Sequence, residues 1–466
     1  MTRLLIALAF CIAALPVRAA EMPPAVRLAL KGARIDPADV AVVVQAVDAR
    51  TPLLSFNASR AMNPASVMKL VTTFAALDLL GPAYTWKTGA FIEAEPVDGQ
   101  LPGNLYMKGS GDPKFALEHF WALLRQLRVR GITHIAGDLV LDRSTFDAPP
   151  ADGDFDDKPM RPYNVGPDAL LVNFRALRFI LQPEATRVRL LVETPGDGLA
   201  IDNRLQLAQG PCGDNWKDRI SVRLLPEKVG NRLEFAGSYA AACGEKMLNL
   251  APLPADAQVA SLFAALWREM GGTLAGRVRS GALPAGARLA AEQESPPLAD
   301  TVRDINKFSN NVMARQLFLT LGNGDGVATP GKARQRIADW LARRRLAFPE
   351  LELENGSGLS RRERISALSL NRLLLDAWQS PVMPEFVSSL PIVGIDGTMK
   401  KRLVDSSARG RAHIKTGTLD GVKTAAGYAL DSEGRPYAVT FLINHPRARE
   451  GQAAIDALLQ WVAEQR

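Results

Sequence analysis

Cysteine and histidine are scarce in this chain, with three and four residues in 466. The histidines His119, His134, His413 and His445 are scattered without ligand spacing, which argues against a zinc site. No metal or other cofactor is therefore expected. Aromatic residues make up 6%, and the 56 Lys and Arg against 49 Asp and Glu form no basic stripe with interleaved aromatics. Apart from small clusters such as Arg343-Arg344-Arg345 the basic residues are dispersed, so no nucleic-acid partner is indicated. After residue 20 no apolar run is long enough to cross a bilayer, so no transmembrane segment is expected. No tandem period of 20–50 residues suggests a solenoid or propeller.

The first twenty residues, MTRLLIALAFCIAALPVRAA, read as a secretory signal peptide. Arg3 supplies the positive end, Leu4 to Leu15 the apolar run and Val17-Arg18-Ala19 the cleavage site, with cleavage after Ala19. The rest of the chain is expected to be exported to the periplasm, with a net charge of about +5. Cys11 leaves with the leader. Cys212 and Cys243, about thirty residues apart, are expected to pair in an oxidising compartment; two buried free thiols are the alternative.

Residues 40–49, VAVVVQAVDA, read as a strand with PLLSFNA as its hairpin partner. Ser66 opens a helix with apolar residues at 67, 68, 70, 71, 74, 77, 79 and 80, ended by Gly81-Pro82. Residues 87–257 carry short strand-like pieces (LVLD, VRLLVE, ISVRLL) among Gly, Pro and Asp. Helices return from about 258, then a terminal alternating region (ARGRAHIKTGT, GVKTAAGYAL, YAVTFLINH) and a closing amphipathic helix. The pattern predicts an α+β, layered chain.

A lone Ser-x-x-Lys, as in NPASVMKL, is weak: a capping serine with a solvated lysine gives the same pattern. Ser-x-Asn and Lys-Thr-Gly accompany it in one enzyme group, in that order. Ser-x-Asn occurs at Ser55, Ser309 and Ser369, and Lys-Thr-Gly at Lys87 and Lys415. Ser55 precedes the nucleophile motif on a strand, and Ser369 is read as a helix cap. Lys87 lies in a segment without a clear partner strand, whereas Lys415 lies mid-strand before a hairpin turn. Ser309 interrupts a helical run where polar side chains can face a cleft. Ser309 with Asn311, and Lys415 with Thr416 and Gly417, are therefore selected.

NPASVMKL, KFSNNVMA, NGSGLSR, LPIVGIDGTM and HIKTGTLDGV, in this order, resemble the D-alanyl-D-alanine carboxypeptidase/endopeptidase family, the class C low-molecular-mass penicillin-binding proteins. The likeness runs through essentially all the chain after the leader. It implies a serine β-lactamase/transpeptidase-like domain, an antiparallel sheet flanked by helices, with two inserted, mostly β domains in the gap of about 240 residues between Lys69 and Ser309. The expected boundaries are 21–86 and 258–466 for the catalytic domain. One insert is expected at 87–115 with 172–257, the other at 116–171.

The resemblance implies Ser66 as nucleophile, Lys69 as its base, Ser309 as proton relay, and Asn311 holding Lys69 and the substrate amide. Lys415, Thr416 and Thr418 would meet the terminal carboxylate, with Gly417 between them. The backbone N–H groups of Ser66 and Thr418 would form the oxyanion hole. Arg361 would contact the stem-peptide side chain. The partners implied are peptidoglycan stem peptides, with β-lactams as covalent inhibitors. From the residues alone, the i, i+3 spacing lets Lys69 reach Ser66 Oγ. A lysine neutral near pH 7.5 needs a downward shift of about 3 pKa units, roughly 4 kcal/mol, which burial, the helix dipole and the Lys415 charge would supply. A serine β-lactamase shares the three motifs, but no Glu-x-x-x-Asn of class A enzymes lies between Ser309 and Lys415. A catalytically silent wall-binding scaffold would not need all five polar residues.

Overall fold

The chain is built around one antiparallel sheet whose strands come from both ends of the sequence. A computed structural model describes residues 21–148, 155–227, 230–324 and 326–466, so the expected leader lies outside the described residues. From one edge the strands run Ala412–Leu419, Val422–Leu430, Pro436–Asn444, Val40–Ala46 and Leu54–Phe56. Successive side chains of a strand point to opposite faces. Ala41 and Val43 join Ala426, Tyr428 and Leu442 under the helices that include Lys69–Leu80 and Asn311–Leu321. Val40, Val42 and Val44 join Ile414, Phe441 and Ile443 under the two terminal helices, Pro24–Gly32 and Gln452–Ala463. Cover on both faces explains why VAVVV is apolar at every position.

Helix Lys69–Leu80 is buried along most of its length and ends at Gly81, whose φ of +82° only glycine adopts readily. The chain then leaves for more than two hundred residues. Strands Lys87–Ile92, Leu105–Lys108, Leu139–Asp142, Val278–Ser280 and Arg288–Glu294 form one sheet, with helices Leu117–Val129 and Ala255–Glu269 packed on a shared apolar core. A separate core gathers residues 177–253, which carry two three-stranded sheets. The Cys212–Cys243 disulfide lies there.

This pairing departs from the expected boundaries. Residues 116–171 are no separate insert, because Leu139–Asp142 pairs in parallel with Leu105–Lys108. A parallel pair needs a crossover, and helix Leu117–Val129 supplies it. Residues 258–294 likewise pack with the 87–142 sheet, not with the sheet formed by the chain ends. Sequence periodicity reveals strands but not which strands pair. Two local expectations also change. Lys87-Thr88-Gly89 opens a strand paired on both sides, and Lys87 itself is tied at the surface to Glu292 at 3.1 Å. Ser366, and not Ser369, caps helix Ala367–Trp378, its hydroxyl accepting from the Ser369 N–H at 3.0 Å.

The disulfide closes a loop with a sequence separation of 31 residues, which in the chain-entropy model is worth about 3–4 kcal/mol. Replacing both cysteines with serine is expected to raise amide hydrogen exchange across 177–253 while the central sheet keeps its protection. Equal loss in both regions would contradict their having separate cores.

Candidate active site

The central sheet and the helices on its first face bring Ser66, Lys69, Ser309, Asn311 and Lys415 together. Ser66 stands on a tight 3-10 turn, Ala65–Met68, just ahead of the helix that Lys69 begins. Residues i and i+3 eclipse in such a turn, and Lys69 Nζ lies 3.0 Å from Ser66 Oγ. The entry to the turn is held by Asn63. Its side-chain oxygen accepts from the Ala65 N–H at 2.9 Å, and its amide donates to the Ser360 carbonyl at 2.8 Å.

Ser309 lies in the left-handed region, φ +55°, where helix Leu298–Phe308 ends. The Asn310 side chain accepts from the Met313 N–H at 3.1 Å and starts the next helix, Asn311–Leu321. This break turns Ser309 toward Lys415, whose Nζ is 2.8 Å from its Oγ. Asn311, on the first turn, takes a 2.6 Å hydrogen bond from Lys69 Nζ on its side-chain oxygen. The stretch LPIVGIDGTM is joined to the same helix end, since Lys307 Nζ donates to the Leu390 carbonyl and to Asp396, both at 2.7 Å.

The edge strand Ala412–Leu419 runs against the nucleophile turn. A methyl group on Gly417 would sit 2.8 Å from the Pro64 carbonyl oxygen and 2.9 Å from the Ser66 nitrogen. Only glycine lets the two backbones meet. Gly358, φ +78°, closes in from the other side, where an added carbon would stand 1.9 Å from the Ala65 carbonyl oxygen. Thr416 and Thr418 flank Gly417. Thr416 Oγ1 is 2.9 Å from Thr398 Oγ1, and Thr418 is exposed and accepts from Lys423 Nζ at 3.1 Å. Arg361 is exposed, donates to the Asp420 carbonyl at 2.7 Å and lies 5.0 Å over the Phe155 ring.

Lys69 and Lys415 are both 0% exposed. Burial, and then the neighbouring Lys415 charge, hold the Lys69 amine well below its usual value; Arg315 adds to this and Glu363 opposes it. Burial brings Lys415 down to about 7. A neutral Lys69 amine can accept the Ser66 proton, which makes the hydroxyl a competent nucleophile.

The sequence pattern did not single out Glu363 or Ser357. The Ser357 carbonyl accepts a third hydrogen bond from Lys69 Nζ. Glu363, fully buried, binds the backbone N–H groups of Glu354, Asn355 and Gly356 at 3.0–3.1 Å and so shapes the loop that carries that carbonyl. Burial pushes its carboxyl up, against the pull of those N–H groups and of Lys69. In sequence, Arg361-Arg362-Glu363-Arg364 reads as a solvated charge run, which hides the one inward-facing member.

This arrangement of a layered sheet with helices on both faces is the fold of a known penicillin-binding protein. The crystal structure of penicillin binding protein 4 (dacB) from Haemophilus influenzae superposes with a TM-score of 0.78 at 24% identity, covering 94% of this chain and 99% of that one. That protein has also been solved in complex with a novel beta-lactam. Residues 25–465 match the model of the D-Ala-D-Ala carboxypeptidase 3 (S13) family, and the chain belongs to that family. The D-alanyl-D-alanine carboxypeptidase of Actinomadura sp. (strain R39) is 29% identical over 401 residues, 82% of this chain and 73% of that protein. The D-alanyl-D-alanine carboxypeptidase DacB of Haemophilus influenzae is 25% identical over 87% and 85% of the two chains. The activity of this chain is accordingly that of a carboxypeptidase.

If Lys69 is the base that activates Ser66, it must be neutral to act, and the rate of acylation by benzylpenicillin is expected to rise with pH through the Lys69 titration. Lys415→Met removes a repelling charge, so the Lys69 pKa rises and the acidic limb moves to higher pH. Glu363→Gln removes an attracting charge and moves the limb to lower pH. Stopped-flow acylation rates between pH 5 and 9 measure both, and shifts of the same sign would contradict this account. Gly358→Ala combines a disfavoured φ with a backbone clash and is expected to cost about 2–4 kcal/mol, read as a lowered urea midpoint with loss of acylation.

Proposed function

We propose that this chain is an exported, serine-type acyl-enzyme of peptidoglycan. It hydrolyses D-Ala–D-Ala ends of stem peptides and D-Ala–diamino acid cross-links, and β-lactams acylate the same serine. The observation that carries this reading is the buried Lys69 amine, hydrogen-bonded to both Ser66 Oγ and Asn311 and repelled by Lys415. The printed activity of the Actinomadura and Haemophilus relatives, and the beta-lactam complex of the Haemophilus protein, support it.

In the first step the Ser66 proton passes to Lys69 as Ser66 Oγ bonds to the carbonyl carbon of the penultimate D-Ala. The backbone N–H groups of Ser66 and Thr418 hold the oxygen of the tetrahedral intermediate. That intermediate collapses with cleavage of the C–N bond. Ser309, hydrogen-bonded to Lys415, relays the proton to the departing amine. Water then cleaves the ester and restores the Ser66 hydroxyl. Lys415, Thr416 and Thr418 receive the carboxylate beside the scissile bond. Arg361 meets the stem-peptide side chain.

The intact mass of the protein after incubation with benzylpenicillin tests this. A lasting adduct of the drug's full mass is expected on wild type and none on Ser66→Ala, which also loses D-alanine release while keeping its melting temperature. An unmodified wild type beside hydrolysed drug would replace the reading with a β-lactamase. An unmodified wild type beside intact drug would replace it with a silent scaffold.

A further inference from the structure

A cleft of about 580 Å³ opens directly beside Ser309 and Asn311, and is lined also by residues of the 158–176 stretch and of the 177–253 core that carries the disulfide. Three cations line it: Lys158, Arg161 and Lys217. Arg161 forms no side-chain hydrogen bond or ion pair, and Lys217 pairs with no carboxylate, among the described residues. Of the two aspartates there, Asp218 is engaged by Lys158 at 3.1 Å. Lys217 lies over the Trp216 ring at 5.4 Å, on the short turn Trp216–Arg219, just after Cys212 of the disulfide. Partial desolvation, and then Arg161, push the Lys217 ammonium below its usual value. Neither Arg161 nor Lys217 is ion-paired although Asp214 and Asp218 line the same cleft, and with Lys158 the lining carries three cations to two carboxylates, a surplus that suits a carboxylate ligand. Exposed apolar surface lies in the same cleft, with Phe308 69% and Met247 59% exposed.

We infer that this cleft is a subsite for the second peptide strand of a cross-link, with Arg161 and Lys217 receiving the departing strand's carboxylates other than the one beside the scissile bond. The inference rests on the function proposed above. If Ser309 hands the proton to the leaving amine, whatever is attached to that amine faces the cleft Ser309 lines. A single D-alanine fills little of 580 Å³, whereas a peptide strand with a methylene-rich diamino acid and free carboxylates fits both the apolar and the cationic parts.

The test uses the full-length Ser66→Ala protein, so that binding is measured without turnover. Its ligands are a synthetic cross-linked stem-peptide dimer and the same dimer with every carboxylate of the amine-donating strand amidated except the one beside the scissile bond. By calorimetry at low salt the free-carboxylate dimer is expected to bind about tenfold more tightly, the size of one charge-assisted contact. Adding Arg161→Ala and Lys217→Ala should collapse that preference, while Arg161→Lys with Lys217→Arg should keep most of it. Equal affinities in the parent, no binding of either dimer, or a preference that survives the double alanine variant would each overturn the subsite. The penicillin adduct on wild type is a separate readout. A missing adduct with an intact carboxylate preference would remove the catalytic reading and leave the anion subsite standing.

Discussion

Two lysine amines share a slot with no access to water, and that constraint organises the rest of the molecule. Taking an ammonium out of water is costly, and two close together also repel. The slot is tolerable because each nitrogen meets oxygen acceptors: Ser66, Asn311 and the Ser357 carbonyl for Lys69, Ser309 and the Thr416 carbonyl for Lys415. The acceptors come from four separate parts of the chain. The lysines therefore cannot be placed until a nucleophile turn, a helix break, a glycine-rich loop and an edge strand have all docked. Burial and repulsion supply the reactivity, and the surrounding packing carries their cost.

Backbone proximity does the docking. Gly417 and Gly358 press from either side on the turn that holds Ser66, and Thr424 Oγ1 donates to the Pro64 carbonyl at 2.7 Å from the neighbouring strand. Such contacts fix the position of a hydroxyl far better than a flexible side chain could, since backbone atoms have little freedom to drift. The buried Glu363 performs a similar task at one remove, by gathering three N–H groups of the loop that supplies the Ser357 carbonyl.

Much of the site was legible because its chemistry is concentrated in short motifs with local geometry. Ser66 and Lys69 need one turn to meet, and Ser309 sits where polar residues interrupt an apolar helix. Lys415 is chosen over Lys87 for its place mid-strand before a hairpin, and Lys87 is set aside for want of a clear partner strand. The reason offered against Lys87 was mistaken, since its strand is paired on both sides. The central strands and the helices around them were readable from periodicity. The grouping of the inserted strands was not, because pairing between 139–142 and 105–108, or between 278–280 and 139–142, is decided by non-local packing. Glu363 was hidden for the opposite reason: its neighbours are all charged, and nothing local marks which one turns inward.

The first strand of the central sheet, Val40–Ala46, is hydrogen-bonded to Pro436–Asn444, and the second face of that sheet is sealed by helices from the two ends of the chain. That partner strand is separated from it by about four hundred residues of sequence, whereas each inserted core draws on a shorter span. Non-local pairings of this kind carry a large entropic cost before any contact rewards them. The inserted segment can gain structure while the chain is still emerging, but the Ser66 turn lacks its edge-strand neighbour until Ala412–Leu419 arrives. A chain that ends before Ala412 therefore lacks Lys415 and cannot assemble the lysine slot.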